Sequence, residues 1–242
     1  MNKLPRITLA FWMMKICATT LGETAGDLLS MTLNIGYAAS SLMLIGIFVV
    51  TLIAQLRSTS YHPFLYWLVI LSTSMAGTTM SDYIDRTLGL GYATGSAMLV
   101  TLLMAILVLW RAQVGTLSVT NIRSVRVEMF YWSAILISNT LGTALGDYLA
   151  DDSGLGFAGG ALLISGTIAL IIVAKFATNI SRIALFWAAF ILTRPLGATM
   201  GDLLTKSHEK GGLDLGTVGS SAILAAVLVV LILVTTRQQR TA

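Results

Sequence analysis

The sequence predicts an all-α integral membrane protein of eight transmembrane helices. They form four parallel two-helix repeats, with the odd helices inside and the even helices outside. Three observations carry this reading. The chain is 56% hydrophobic and only 11% charged over 242 residues. An average soluble domain carries roughly 25% charged residues, so this chain cannot clothe a water-facing surface. Four almost unbroken apolar runs alternate with four polar-interrupted ones, and a short glycine- and aspartate-containing element recurs four times.

The unbroken runs are Tyr37–Leu56, Tyr92–Trp110, Phe157–Ala174 and Thr217–Val234. Each is about 18–20 residues long, enough to cross about 30 Å of hydrocarbon as a helix. The interrupted segments cover about residues 7–28, 63–84, 128–149 and 183–204. Together they use nearly the whole chain, so residues 1–242 read as a single membrane domain. The first run follows Lys3 and Arg6 but precedes no small-residue cleavage site, so it is expected to be a retained helix. One cysteine, Cys17, excludes an internal disulfide and a thiolate cluster.

Topology explains the basic pI better than nucleic acid does. Lys3, Arg6, Arg57, Arg111, Arg123, Arg126, Lys175, Arg182, Arg237 and Arg240 fall at the N-terminus, the even-numbered loops and the C-terminus. Only Arg86, Lys206 and Lys210 fall on the other side. By the positive-inside rule both termini are expected to be cytoplasmic. Of eleven acids, only Glu128 lies at a cytoplasmic helix end.

The recurring element reads LGETAGDLLS (21–30), MAGTTMSDYI (75–84), LGTALGDYLA (141–150) and PLGATMGDLL (195–204). Its anchors are Asp27, Asp82, Asp147 and Asp202, each preceded by 15 residues by Trp12, Trp67, Trp132 and Trp187. Five residues before each aspartate stands a glycine, and one before it a glycine or serine. A second signature follows as NIGY, GLGY, GLGF and DLGT. Its glycine lies nine residues after the aspartate in three units and fourteen after in the last, which marks a five-residue insertion within TKSHEKGG. The repeats cover about 7–57, 62–111, 127–176 and 182–236. Two helices per unit return the chain to the same side, so all four units point the same way.

These W-x14-D, G-x3-[GS]-D and G-[LI]-G-[YF] elements resemble those of a family of uncharacterised bacterial integral membrane proteins made of four tandem two-helix repeats. The resemblance covers about residues 7–236. It implies a protein of the bacterial inner membrane and a transporter, without supplying a substrate. The fourth repeat departs from the pattern through Arg194, Pro195 and the insertion. The ETAGD stretch is also similar, at a spacing one residue different, to the E-x-G-D motif of a family of cation/proton exchangers.

Stepping back from each aspartate by four and eight residues follows one helix face. The first helix gives Asp27, Glu23 and Thr19, then Lys15 four further back. The others give Asp82, Thr78 and Ser74; Asp147, Thr143 and Asn139; and Asp202, Ala198 and Arg194. The glycines fall on an adjacent face, where small residues permit close backbone packing. The stripes are expected to converge, with five acids against two bases and a formal charge of −3. Glu23 has no acidic counterpart in the other repeats, so no rule of the repeat demands it, and an intramembrane acid is a functional candidate. The aspartates are candidates with a rival reading as structural caps at the outer boundary. The tryptophans are expected to form an interfacial belt.

The expected function is secondary transport of a cation, a divalent metal such as manganese, coupled to protons, with export as the direction. Oxygen ligands without His or Cys clusters suit Mn, Mg or Ca. Glu23, Asp27, Asp82, Asp147 and Asp202 are the expected metal ligands. Lys15, Thr19, Ser74, Thr78, Asn139, Thr143 and Arg194 are expected to line the pathway, with Lys15 and Arg194 as internal counter-charges. Two alternatives stay open: transport of a small organic solute, or a membrane sensor or scaffold that transports nothing. No nucleophile–base pair, paired-His zinc spacing or phosphate loop is present, so no enzyme and no cofactor is expected. The expected partners are the lipid bilayer, the transported species and a second copy of the chain, but no nucleic acid.

Overall fold

A computed structural model describes residues 3–119, 122 and 124–241, without the side chains of 239–241. Arg123 and the side chain of Arg240, used above for topology, lie outside the described residues. Eight long helices form: α1 (Leu9–Asp27), α2 (Tyr37–Arg57), α3 (Pro63–Asp82), α4 (Tyr92–Val114), α5 (Val125–Asp147), α6 (Gly156–Ala177), α7 (Arg182–Thr205) and α8 (Thr217–Thr241). Local chemistry fixes several ends. Thr8 and Ser124 cap α1 and α5 by accepting from the backbone N–H groups of Phe11 and Val127. Pro63 opens α3, where its missing N–H costs nothing. Gly115 closes α4 in the left-handed conformation.

The four odd helices form a closed ring, α1 on α3, α3 on α5, α5 on α7 and α7 on α1. Each even helix packs on the odd helix of the following repeat: α2 on α3, α4 on α5, α6 on α7 and α8 on α1. The last repeat thereby closes on the first. Buried residues concentrate on the odd helices, while Leu42, Val50, Leu162, Leu170 and Ile223 of the even helices are exposed. Among the described residues, five helices are long and apolar enough to cross a membrane: α2, α4, α6, α7 and residues Thr217–Gln238 of α8. The polar residues that weaken the apolar signal of α1, α3 and α5 are the ones buried inside the ring.

The glycine face of each odd helix meets the polar stripe of the next. A Cβ placed on Gly26 would stand 2.9 Å from Thr78 Cβ, and one on Gly77 2.9 Å from the Asn139 backbone. On Gly146 it would stand 2.8 Å from Ala198 Cβ, and on Gly201 2.8 Å from Glu23 Cβ. Gly22, Gly142 and Gly197 face Ser74, Arg194 and Thr19 in the same way. One interface, repeated around the ring, therefore accounts for both halves of the G-x3-[GS]-D element.

After the aspartate, α1, α3 and α5 each add a wide turn with a five-residue hydrogen-bond step. Its bonds are Leu33 N–H to Leu28 O, Leu88 N–H to Tyr83 O and Ser153 N–H to Tyr148 O, each 2.9 Å. The fourth repeat lacks this turn, and Lys206 N–H bonds Asp202 O at 2.9 Å. The second signature is then a pair of positive-φ residues around an apolar one. Asn34, Gly89, Gly154 and Asp214 have φ of 53°, 72°, 76° and 54°, and Gly36, Gly91, Gly156 and Gly216 have 82°, 72°, 66° and 73°. Glycine, asparagine and aspartate are the residues that tolerate this conformation.

The tryptophans do not form the expected interfacial belt. Trp67, Trp132 and Trp187 are buried, and only Trp12 is half-exposed. They join Phe11, Tyr66 and Tyr131 in an aromatic layer at the end of the ring where the odd helices begin. Tyr66 and Tyr131 share a 2.7 Å hydroxyl hydrogen bond at its centre. The layer is covered by the N-terminal segment, where Lys3 pairs with the buried Glu128 at 2.8 Å, and by the α4–α5 loop, where Leu117 O accepts from Trp187 Nε1 at 3.0 Å.

Candidate functional site

The stripes converge at the other end of the ring. α1, α3 and α5 each deliver their aspartate at the last residue, α7 delivers Asp202 within its last turn, and all four aspartates are buried. Two cations bridge them. Lys206 Nζ lies 2.6 Å from Asp27 Oδ2 and 3.1 Å from Asp202 Oδ1. Arg86 lies 3.0 Å from Asp82 Oδ1 and 3.2 Å from Asp147 Oδ2. Each cation stands four residues after the aspartate of its own repeat and reaches the aspartate of the next. Repeats two and four supply them; the corresponding residues in repeats one and three are Met31 and Asp151. Burial disfavours the Lys206 ammonium, but the Asp202 and Asp27 carboxylates outweigh it and hold its pKa above the usual lysine range.

Sequence reasoning placed Arg86 and Lys206 in outer loops and counted only two bases. The structure pairs the five acids with three bases, Arg86, Arg194 and Lys206, and leaves Lys15 apart on Asn139; adding Arg86 and Lys206 to the sequence count changes its formal charge from −3 to −1. The signal was present: the same i, i+4 rule, stepped forward from the aspartate instead of back, reaches both residues.

One turn deeper, Arg194 organises a second layer. Its Nη2 lies 2.8 Å from Glu23 Oε2, 2.6 Å from Thr78 Oγ1, 2.6 Å from Thr143 Oγ1 and 3.4 Å from Ser74 O. That nitrogen has two protons for four oxygens. Arg194 Nε and Nη1, equally buried, have no hydrogen-bond partner among the described residues. Thr78 and Thr143 hydroxyls also lie 3.3 Å from Glu23 Oε2.

Glu23, Asp147 and Asp202 each present a carboxylate oxygen within 4.8 Å of the other two, and all three residues are buried. They come from three different repeats. Asp27 and Asp82 stand beside this trio but outside it, and the two bridging cations tie them to its members, Lys206 joining Asp27 to Asp202 and Arg86 joining Asp82 to Asp147. Asp27 Oδ1 has no hydrogen-bond partner among the described residues. A cleft of about 690 Å³ opens beside the trio, lined by Arg86, Tyr92, Asp151, Asp202, Lys206 and Lys210.

The remaining expected pathway residues lie deeper. Lys15 is fully buried; its Nζ lies 3.4 Å from Asn139 Oδ1 and 4.4 Å from the Phe190 ring centroid. Asn139 Nδ2 donates to Thr73 Oγ1 at 2.9 Å and to Ser74 Oγ at 3.3 Å. Thr19 is tied to backbone carbonyls, Lys15 O at 3.0 Å within its helix and Thr193 O at 3.1 Å across the α1–α7 contact. Ser74, Thr78 and Thr143 therefore surround Arg194, Asn139 holds Lys15, and Thr19 joins helices.

The family model described as Repeat of Unknown Function (DUF347) matches residues 10–61, 65–116, 130–181 and 185–241, once per repeat. The chain belongs to that family. No curated protein and no solved structure matches it.

Proposed function

We propose that this member of the DUF347 repeat family crosses the bacterial inner membrane eight times, with both termini cytoplasmic, and exchanges a cation for protons. The cation is a divalent metal such as manganese. The observation that carries the reading is the convergence of Glu23, Asp147 and Asp202 from three repeats within 4.8 Å. Arg194, Arg86 and Lys206 each offset one of these carboxylates from the side, and a proton or a metal cation among the three would offset the repulsion that close carboxylates retain. All-oxygen donors without imidazole or thiolate suit Mn²⁺, Mg²⁺ or Ca²⁺.

The bases fit the same role. Arg194 holds Glu23 when no substrate is bound, through the one nitrogen that also meets Thr78 and Thr143, and among the described residues its other two nitrogens have no partner. A divalent cation drawn to Glu23 competes directly with that guanidinium. The cleft beside Asp202 and Lys206 supplies the outer approach, and the Tyr66–Tyr131 layer closes the inner one. Transport then requires opening the aromatic layer while the Asp–Lys206 and Asp–Arg86 bridges hold the outer end. The direction of net flow proposed is export, driven by inward proton movement.

The test is uptake of Mn²⁺, Mg²⁺ and Ca²⁺ into proteoliposomes with and without an imposed pH gradient. Gradient-dependent movement of one of them by wild type, lost in Asp147→Asn, supports the proposal. Movement of none, or movement indifferent to pH, removes it.

A further inference from the structure

We propose that Lys3 is a latch on the inner end of the ring, the end where the odd helices begin. Its ammonium holds that end shut on Glu128 and Leu56, and the end opens only when the latch lets go. The latch belongs to the fold; the transport step it gates rests on the exchange reading.

Glu128 is a buried acid that the repeat does not call for. The matching residues, four before each of the other tryptophans, are Thr8, Pro63 and Ile183. Its side chain is 2% exposed, and among the described residues its one ion-pair partner is Lys3, with Nζ 2.8 Å from Oε2. The same Nζ donates to Leu56 O at 2.9 Å. Leu56 lies in the last turn of α2 and Glu128 in the first turn of α5. The carboxyl end of a helix favours a cation and the amino end an anion, so the place suits both members of the pair.

Lys3 does not stand on a helix. It opens the non-helical residues 3–8 ahead of α1, of which Leu4 and Pro5 are buried and Arg6, Ile7 and Thr8 exposed. The segment rests on the ring by its first residues and leads into α1 through an exposed stretch. α1 and α5 stand opposite each other in the ring, each touching α3 and α7. Lys3 thus ties the segment that leads into α1 to the far helix, by way of α2, which packs on α3. The tie spans the end at which α1 and α5 have to part.

Release of Lys3 lets water in beside the aromatic layer. Glu128 and Tyr131 share a face of α5 at i, i+3, so the carboxylate stands one turn from the Tyr66–Tyr131 hydrogen bond. Without the ammonium, Glu128 keeps Gln55 Nε2 at 3.4 Å, and Leu56 O loses its donor. Gln55 Oε1, buried, already has no partner among the described residues. Buried acceptors without donors are unfavourable, a carboxylate most of all, so water follows into the gap. The cleft beside Asp202 lies at the other end of the ring, so the latched chain is shut inside and open outside.

The test fastens the latch chemically. In a Cys17→Ser background, Lys3→Cys and Glu128→Cys are joined by a cleavable thiol-reactive linker, and Mn²⁺ movement is followed in proteoliposomes. The linked chain is expected to bind Mn²⁺ as the unlinked chain does, to move it at least about tenfold more slowly, and to recover when the linker is cleaved. Movement as fast in the linked chain as in the unlinked one overturns the latch and leaves the cation reading standing. Hydrogen exchange of the purified full-length chain needs no transport. Lys3→Met is expected to speed exchange over residues 128–135 by about tenfold against wild type and to leave residues 196–202 unchanged. Lys3→Met/Glu128→Gln is expected to lie closer to wild type, because no buried carboxylate then draws water in. Wild-type exchange in Lys3→Met, or equal exchange in the single and double variants, overturns the latch whether or not the chain moves Mn²⁺. If wild type moves no Mn²⁺, the cation reading falls and hydrogen exchange alone decides the latch.

Discussion

Arg194 of α7 reaches across the ring to Glu23 of α1, with Nη2 and Oε2 2.8 Å apart and both side chains buried. The two residues are the acid and the base that the other repeats lack at these positions. Each explains the other: a guanidinium at the depth of the repeat-four stripe needs a carboxylate from the neighbouring stripe, and α1 is the ring neighbour of α7.

Removing one partner leaves the other buried and uncompensated. Glu23→Gln and Arg194→Met are each expected to destabilise the chain by about 3–5 kcal/mol. The double variant is expected to lose much less than the two single losses combined. Thermal unfolding in one detergent measures all four members of the cycle, and additive losses would contradict the pairing.

Lys206 and Arg86 occupy equivalent positions and are expected to behave alike. Lys206→Met leaves Asp27 and Asp202 facing each other, at a cost of about 3 kcal/mol near neutral pH. Because the folded-state pKa of Lys206 is raised, its contribution is fully present below the unfolded value of about 10.4 and is lost only as pH rises beyond that. Wild type should therefore show no loss from Lys206 between pH 5 and 9. The variant should regain stability on acidification, as protonation relieves the uncompensated carboxylate pair. Unfolding midpoints across that pH range check both statements; a variant deficit constant with pH would contradict them.

Gly201→Ala is expected to cost about 1–3 kcal/mol, because the new Cβ would meet Glu23 Cβ at 2.8 Å. Gly46→Ala, with nothing within 4 Å of its Cβ on α2, is expected to be neutral or to stabilise by up to about 1 kcal/mol. Equal melting shifts for the two would contradict the glycine-to-stripe interface.

Gly91→Ala is expected to cost about 1–2 kcal/mol, since its φ of 72° strains a residue with a Cβ. Gly89→Asn should cost less, because Asn34 already holds the equivalent position at φ 53°. Melting temperatures of the pair test whether the second signature is a backbone device.

Much of this was legible because the repeat was. The aspartate spacing gave the units, and the i, i+4 rule put Glu23, Thr78 and Thr143 on faces that the structure brings onto Arg194. Odd helices inside and even helices outside followed from where the polar residues stood. Three things were not legible. Sequence spacing does not say which neighbour a helix chooses, so α2 packing on α3 rather than on its own repeat partner came only from the fold. Arg86 and Lys206 follow the helical part of their units, where loop composition hid that they fold back onto the aspartates. Trp67, Trp132 and Trp187 sit near helix ends in sequence but are buried among the helices in space, and a membrane-belt rule has no knowledge of which side of a helix faces its neighbours.

The most direct measurement is the stoichiometry and affinity of Mn²⁺ binding to the purified chain and to single carboxylate variants. One ion per chain is expected, weakened at least tenfold in Glu23→Gln, Asp147→Asn and Asp202→Asn, and by less in Asp82→Asn, whose carboxylate lies outside the trio. Unchanged affinity in all three trio variants would contradict a cation held among Glu23, Asp147 and Asp202.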